Sequence, residues 1–206
     1  LVNLSIILKN SKSQNNLYAL NIIKNTDGGN PENEKKAKKI LEIASKTAAA
    51  TDNHVIELLR YDVDIPNAIV NVARENKITD LVLGLHEKQN ISDSFFGSLT
   101  EGVLSRCDAT IFIYRPVQPL ATIKLHLVII PRHADKEIGF AFWLSNVWNI
   151  GRNSKSKVIF YASEETLRYI RLLQKKQPID AEFNIFDNWE DFLVLTREIK
   201  ANDNVI

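Results

Sequence analysis

Two glycines and a serine near the middle of the sequence stand where a phosphate-binding loop could lie. Gly84 lies in the apolar run Leu81–Leu85, and Gly97 and Ser98 follow after a polar segment. A loop from the carboxyl end of a parallel strand to the start of a helix can bind phosphate oxygens through its backbone N–H groups. Gly84 would let a phosphate approach the backbone, and Gly97 would allow the turn into the helix. Ser98 would cap that helix and donate its hydroxyl to a phosphate oxygen.

The elements that must position this loop are strands alternating with helices. Apolar runs predict four strands, and apolar residues at helical spacing predict helices between them. One helix carries its apolar face on Ala37, Ile40, Leu41, Ala44 and Ala48, and another begins at Pro66. Such alternation is typical of a parallel sheet with right-handed crossovers. The predicted strands are Leu17–Ile23, Val55–Tyr61, Leu81–Leu85, which is apolar enough to be buried on both faces, and Ala109–Tyr114.

The second half of the chain repeats this alternation. Pro116 and Pro119 stop both helix and central strand, which places a domain boundary near Gln118. We therefore predict an α/β protein with two domains, residues 1–118 and 119–206, each an open, mostly parallel sheet with helices on both faces. The predicted elements of the second domain are strands Thr122–Ile130, Lys157–Tyr161, Ala181–Phe186 and Asn204–Ile206, and helices Phe140–Ile150, Glu164–Gln174 and Trp189–Ile199.

The loop resembles that of the universal stress protein family. Its nucleotide-binding members carry a glycine, two residues, a second glycine, nine residues, and then Gly followed by Ser or Thr. Gly84, Gly97 and Ser98 match this spacing, and the segments Ser98–Leu104 and Ala109–Pro116 are similar to the family's last helix and strand. The resemblance implies two tandem repeats with the adenine nucleotide alpha hydrolase-like fold, and ATP or AMP as the ligand.

Glu87 departs from the family pattern, because it stands where the second glycine belongs, directly after His86. Its carboxylate would lie close to the phosphates and weaken binding by like-charge repulsion. The family's first strand, which ends in an acidic residue that contacts the nucleotide, is missing from residues 1–118. Three interpretations stay open: a degenerate loop that packs the fold but binds nothing, adenine nucleotide binding, or another ligand.

Three further stretches resemble the tail that follows the membrane domain in bacterial sodium/proton antiporters. These are Gln118–Thr122, Ile130–Phe140 with Trp143, and Asp187–Phe192. The resemblance implies a regulatory and assembly domain at the cytoplasmic face of the inner membrane, itself a soluble fragment, whose parent exchanges monovalent cations for protons. Its partners would be the membrane transport domain of the same polypeptide and a second copy in a homodimer. The alternative is a stand-alone tandem universal stress protein that binds adenine nucleotide as a signal.

Composition and the remaining polar residues argue against other classes of function. The net charge is +1, so the protein has no overall electrostatic field that would attract nucleic acid. The single cysteine and the four histidines lack the spacing of paired metal ligands, which predicts no metal site. Cys107 is expected to be a small buried residue, and Asp64 a helix cap that forms no acid/base pair with Asp62. We therefore predict no enzyme activity. A loop in the second half could read a ligand or simply begin a helix; its polar residues are Arg132, His133, Asp135 and Glu137.

Overall fold

The computed structural model describes residues 1–9, 16–25, 30–85, 97–188, 190, 192–197 and 199–206. These residues form two compact units. The first unit comprises residues 1–6 and the described residues from 16 to 116, and the second comprises residues 7–9 and those from 117 onward. Within the described residues, eight strands alternate with seven α-helices, so the α/β class is as predicted.

The first unit follows the predicted order of helices and strands. Polar residues begin its helices: the Asn30 side chain accepts a hydrogen bond from the Glu32 N–H at 2.9 Å, and Asp64 accepts one from the Asn67 N–H at 3.2 Å. The cap predicted at Asp64 is therefore confirmed. The elements are α1 (Val2–Leu8), β1 (Leu17–Lys24), α2 (Pro31–Ala49), β2 (Val55–Asp62), α3 (Ile65–Glu75), β3 (Asp80–Gly84), α4 (Gly97–Leu104) and β4 (Thr110–Tyr114).

The strands of the first unit form two separate parallel pairs, which differs from the single sheet predicted. β1 pairs with β2 in the register Leu17 to Val55, and β3 pairs with β4 in the register Asp80 to Thr110. Among the described residues no strand lies between β1 and β3. Among the described strands, β1 is hydrogen-bonded only to β2 and β3 only to β4, so the sheet is interrupted between β1 and β3.

Some residues that were predicted to be in the core of the first unit are less buried than expected. Within the predicted two-face-buried run of β3, Leu83 is buried but Leu81 and Val82 are only half-buried. Ile40, predicted on the buried face of α2, has a relative exposure of 56%. Hydrophobic spacing therefore predicted the elements correctly but overestimated the burial of these three residues.

The second unit contains one continuous parallel sheet. Its first strand is shorter than predicted, because Leu120–Thr122 form a 3-10 turn, and its last helix is also shorter. Trp189, at the predicted start of that helix, lies outside the described residues. The elements are β5 (Leu125–Ile129), α5 (Phe140–Ser154), β6 (Lys157–Ala162), α6 (Glu164–Lys176), β7 (Ala181–Ile185), α7 (Phe192–Thr196) and β8 (Asp203–Val205), in the strand order β7-β6-β5-β8.

The core of the second unit is fully formed around β5 and β6. Val128, Val158 and Phe160 have no exposed surface, and the Phe160 ring stacks on that of Phe183 at 5.6 Å. Trp148 on α5 packs against the same cluster while its indole N–H donates to the Gln177 carbonyl at 2.8 Å. Burying these large apolar side chains contributes roughly 1.5–3 kcal/mol each.

Two asparagines one turn apart on α5 hold the end of α1. Asn149 Nδ2 donates to the Leu8 carbonyl at 3.0 Å, and Asn153 Nδ2 donates to the carbonyls of Ile7 at 2.7 Å and Lys9 at 3.0 Å. These amides satisfy carbonyls that have no partner at a helix end. No helix in the described part of the chain combines the length and apolar character needed to cross a membrane.

Candidate functional site

Gly84 is the last residue of β3 and lies beside Tyr114, the last residue of β4. The Leu85 N–H donates to the Tyr114 carbonyl at 3.0 Å, so the chain follows β4 until it leaves the sheet. Burial raises the pKa of the Tyr114 hydroxyl above its ordinary value. A Cβ added to Gly84 would meet only the Leu1 methyl groups, at 3.6 and 3.7 Å, which are ordinary contacts. Packing within the first unit therefore does not require glycine here.

Gly97 and Ser98 open α4 at the other end of the predicted loop. Gly97 has a φ of +78°, a conformation that favours glycine, and a Cβ there would have no neighbour within 4 Å. Ser98 is exposed and lies in the first turn of α4, not before it, so it does not occupy the capping position predicted for it. His86 and Glu87 lie outside the described residues.

The structure thus gives the two ends of a loop with the properties that phosphate binding needs. One end is a strand terminus at Gly84, where an added Cβ would make only ordinary contacts with Leu1, and the other is a helix start with an exposed hydroxyl at Ser98. The first N–H groups of a helix have no intrahelical acceptor and favour negative charge. An anion is the class of ligand that such ends can bind.

Comparison with known proteins identifies the region that carries this loop. Residues 14–115 match the sequence model of the universal stress protein family. This stretch is a domain similar to the universal stress proteins. The matched residues cover most of the first unit and include Gly84, Gly97 and Ser98. No curated protein matches the sequence.

Solved structures share the fold at low sequence identity. A universal stress protein from Archaeoglobus fulgidus DSM 4304 has a TM-score of 0.59 and 15% identity, over 88% of this chain and 69% of that chain. A functionally unknown protein from Pseudomonas aeruginosa PAO1 has a TM-score of 0.58 and 11% identity, over 89% and 67% of the two chains. At these identities the likeness establishes the fold alone.

Gly102, another glycine within the matched residues 14–115, has a purely structural role, unlike Gly84. A Cβ on Gly102, in α4, would lie 2.9 Å from Pro66 Cβ and Cγ in α3. The close packing of α4 on α3 therefore requires the absence of a side chain at Gly102. Gly84 has no comparable restriction, so a reason for glycine there must come from outside the described packing.

The two aspartates at the end of β2 serve the backbone. Asp62 Oδ1 accepts from the Asp64 N–H at 3.0 Å, and Asp64 also accepts from Arg106 Nη1 at 3.2 Å. The hydrogen bond from the Asn67 N–H, helped by Arg106, holds the pKa of the Asp64 carboxyl below its usual range. Both carboxylates therefore have structural partners.

The polar loop of the second unit lies beyond the matched residues 14–115. Asp135 Oδ1 accepts a hydrogen bond from the fully buried Thr166 hydroxyl at 2.9 Å, and Thr166 also contacts Ser163 Oγ at 3.0 Å. Asp135 therefore supports the N-terminus of α6, a role different from the start of its own helix. The other three predicted residues, Arg132, His133 and Glu137, are exposed.

Sequence reasoning missed His126, a buried polar residue in the middle of β5. Its Nδ1 lies 3.1 Å from Asn204 Nδ2, and its Nε2 lies 3.1 Å from Ser154 Oγ. The Asn204 amide nitrogen can only donate, so Nδ1 accepts and the ring proton lies on Nε2. Burial lowers the pKa of the imidazole to about 4. Its position within an apolar run was the signal available, since a histidine there must be buried with its partners.

The remaining reactive groups do not form a site among the described residues. Cys107 is a free thiol of intermediate exposure, less buried than predicted, that packs against the core of the first unit. No group of three histidine, cysteine or acidic side chains in the described ranges could hold a metal ion.

Proposed function

We propose that this chain is a regulatory module of the universal stress protein type, which binds an adenine nucleotide as a signal and catalyses no reaction on it. The observation that carries the proposal is the left-handed Gly97 at the start of α4, thirteen positions after Gly84, within the residues that match the family. The phosphates would bind between the end of β3 and the first turn of α4. Ser98 would donate its hydroxyl to a phosphate oxygen.

The proposal extends to a tandem arrangement. The second unit has its own parallel sheet with helices between successive strands, and the two structural likenesses span 88% and 89% of the chain. The family model matches only residues 14–115, so the likeness of the second unit rests on its fold. We assign the second unit a supporting role, because its polar loop is used to hold α6.

We expect Glu87 to control the affinity for the proposed adenine nucleotide. A carboxylate close to the phosphates opposes binding by charge repulsion, which at an effective dielectric constant near 20 costs on the order of a few kcal/mol. The nucleotide would therefore bind weakly in this chain, and affinity would respond to the charge at this position.

Isothermal titration of the 206-residue chain with ATP, ADP and AMP tests the proposal. Gly84→Ala should weaken binding without loss of fold, because its new methyl group makes only ordinary contacts with Leu1. Glu87→Gly should tighten binding about tenfold or more, which corresponds to roughly 1.4 kcal/mol. Gly139→Ala is the matched control, since a Cβ there has open space and lies in the second unit. Absence of binding by both the parent chain and Glu87→Gly would overturn the proposal.

The antiporter-tail interpretation is the second candidate, and it rests on sequence resemblance in and around Ile130–Phe140. In that role the same module would act on a membrane transport domain of the same polypeptide, as part of a homodimer at the cytoplasmic face of the membrane. The family match favours the stand-alone module and is silent on transport. The full-length gene decides between them, because the antiporter interpretation requires several apolar segments of about 20 residues before Leu1.

A further inference from the structure

β7 is the outermost strand of the sheet in the second unit. It pairs in parallel with β6, and among the described strands it has no neighbour on its other side. A strand at the edge of a sheet presents a row of unpaired N–H and C=O groups, so it can bind a further strand. We refer to the free side of β7, residues Ala181–Ile185, as the β7 edge.

The hydrogen bonds to β6 show which peptide groups of β7 point outward. The Val158 N–H donates to the Asp180 carbonyl at 3.0 Å. At the other end of the pair, the Phe186 N–H donates to the Ala162 carbonyl at 2.8 Å. Alternate residues of a parallel strand direct their peptide groups to opposite sides, so the even-numbered residues of β7 bond to β6. The outward-facing residues are Ala181, Phe183 and Ile185.

A side chain of α6 covers the outward peptide groups just before this edge. Gln174 Oε1 accepts from the Ile179 N–H at 3.2 Å, and Gln174 Nε2 donates to the Ile179 carbonyl at 2.7 Å. The glutamine amide thus takes the place that a neighbouring strand would have at Ile179. No described group does the same for the three outward-facing residues of β7, and Ile185 has a relative exposure of 60%. The β7 edge is therefore open from Ala181 onward.

The β7 edge is complementary to a second copy of itself in antiparallel pairing. With Phe183 on a two-fold axis, Ala181 of one copy lies opposite Ile185 of the other, so a small side chain meets a large one. The outward N–H groups of all three odd-numbered residues then meet outward carbonyls. Phe183 lies opposite its own counterpart, and aromatic pairs across strands are favourable.

The polar residues of β7 fit the same pairing. Glu182 is the one charged residue of the strand and forms an ion pair with Lys157 on β6, while Asn184 is exposed. Two-fold pairing places each Glu182 opposite an Asn184, whose amide can donate to the carboxylate. No like charges lie directly opposite each other, and β7 contains no proline. The strand therefore lacks two of the features that keep edge strands from pairing.

The charges of α6 favour a second copy over an unrelated strand. A two-fold axis perpendicular to the sheet keeps both α6 helices on one face and makes them antiparallel. The helix has an acidic first turn and a basic last turn, formed by Glu164, Glu165, Lys175 and Lys176. The acidic end of one helix would therefore lie toward the basic end of the other. Arg171, which lies 5.8 Å from the Phe183 ring centroid and so near the axis, already has Glu164 as its ion-pair partner at 3.3 Å.

We propose that the β7 edge is a dimerisation surface, at which β7 of a second copy of this chain adds antiparallel and joins the two four-stranded sheets. The surface lies in the second unit and contains none of the residues proposed to bind nucleotide. The dimer should therefore form without nucleotide, and its formation is independent of the function proposed above.

Sedimentation velocity of the 206-residue chain without nucleotide should show a dimer that dissociates on dilution. Ile185→Pro removes an outward N–H group but no hydrogen bond to β6, so the strand itself should persist. This variant should raise the dimer Kd at least about tenfold, because main-chain hydrogen bonds supply much of the affinity in strand addition. Circular dichroism should stay unchanged.

Glu57→Pro is the matched control, at the outer edge of the first unit. The Asp62 carbonyl accepts from the Asn25 N–H at 2.9 Å, so odd-numbered residues of β2 face away from β1. Glu57 is exposed, and its replacement likewise removes only an outward N–H group. The dimer Kd should be unchanged. An equal loss of affinity in Glu57→Pro and Ile185→Pro would overturn the assignment of the interface to β7.

Disulfide formation tests the register and does not depend on the proline variants. In a Cys107→Ser background, chains with Glu182→Cys and chains with Asn184→Cys are oxidised separately and as a mixture. The two positions form a directly opposite, non-hydrogen-bonded pair with Cα atoms about 4.5 Å apart, a separation that a disulfide can span. The mixture should therefore cross-link faster than either chain alone. Equal rates, or a monomer at every concentration of the parent chain, would overturn the proposal.

Discussion

Asn204 Nδ2 lies 3.1 Å from His126 Nδ1, so the last described strand of the chain is attached to the central strand of its sheet through an uncharged imidazole. His126 has 1% relative exposure, and its Nε2 contacts Ser154 at the end of α5. Protonation would add a proton to Nδ1, the atom that accepts from Asn204. This side-chain contact, which adds to the backbone hydrogen bonds between β8 and β5, therefore depends on a neutral histidine.

The second unit should lose stability in mild acid. The pKa of His126 is lowered from 6.5 to about 4 in the folded chain, so between these values the unfolded chain binds more protons. The free energy of unfolding is therefore highest above about pH 6.5, and it decreases by up to roughly 3 kcal/mol as the pH falls toward 4. Urea unfolding from pH 4.5 to 7.5 measures it by tryptophan fluorescence, because Trp143, Trp148 and Trp189 all lie after residue 117.

His126→Gln should flatten this pH dependence, since its amide cannot gain a proton in that range. His54→Gln is the matched control, because His54 is exposed in the first unit and its replacement should leave the slope unchanged. A parent chain with constant stability from pH 4.5 to 7.5 would contradict the buried, neutral assignment of His126.

Gly151→Ala should destabilise the second unit. Its Cβ would lie 2.8 Å from Val158 Cγ2 and 3.0 Å from Ile179 Cδ1, and Val158 is fully buried. Overpacking costs about 1–3 kcal/mol, while the better helix propensity of alanine returns about 1 kcal/mol. We expect a net loss of up to about 2 kcal/mol in urea unfolding, against little change for Gly139→Ala, which has open space. Equal stability of the two variants would show that α5 can move away from β6.

Thr166→Val should weaken the attachment of α6 although it preserves the shape of the side chain. The Thr166 hydroxyl contacts both Asp135 and Ser163 and has no exposed surface. Its loss leaves the Asp135 carboxylate without this donor and the buried Ser163 hydroxyl without this acceptor, which costs about 1–3 kcal/mol. Thr196→Val is the control, because that threonine is exposed and bonds only locally to the Leu193 carbonyl. Differential scanning calorimetry should show a lower Tm for Thr166→Val alone.

Gly97→Ala should lower nucleotide affinity through the backbone. A φ of +78° is unfavourable for alanine by about 1 kcal/mol, although no atom would clash with the new methyl group. Relief of this strain would turn the first N–H groups of α4 away from the phosphates. Titration with ATP should give a weaker Kd for Gly97→Ala while circular dichroism stays unchanged; unaltered affinity would show that α4 does not contact the ligand.

The order and type of nearly all elements could be predicted from hydrophobic periodicity, because apolar spacing reports which face of an element is buried. Asp64 was also predictable, since a cap is a local interaction. The interruption between β1 and β3 was not, because β1 is apolar whether or not a neighbour covers it.

The candidate site was predictable only at its two glycines. The spacing of Gly84 and Gly97 is a property of the sequence, and the left-handed φ of Gly97 agrees with its expected turn. The roles of Asp135 and His126 depend on Thr166 and Asn204, which are 31 and 78 residues away in the chain. Sequence periodicity contains no information on such distant pairs.

The two asparagines on α5 have a consequence for how the chain tolerates substitution. Asn149 and Asn153 recognise main-chain carbonyls of Ile7, Leu8 and Lys9, and every amino acid carries the same carbonyl. Evolution can therefore vary the side chains of Ile7 and Lys9 without loss of this contact, whereas Leu8 is restricted by its own burial. No other side chain replaces these two amides equally well. We therefore expect slow sequence change at Asn149 and Asn153 and rapid sequence change at Ile7 and Lys9.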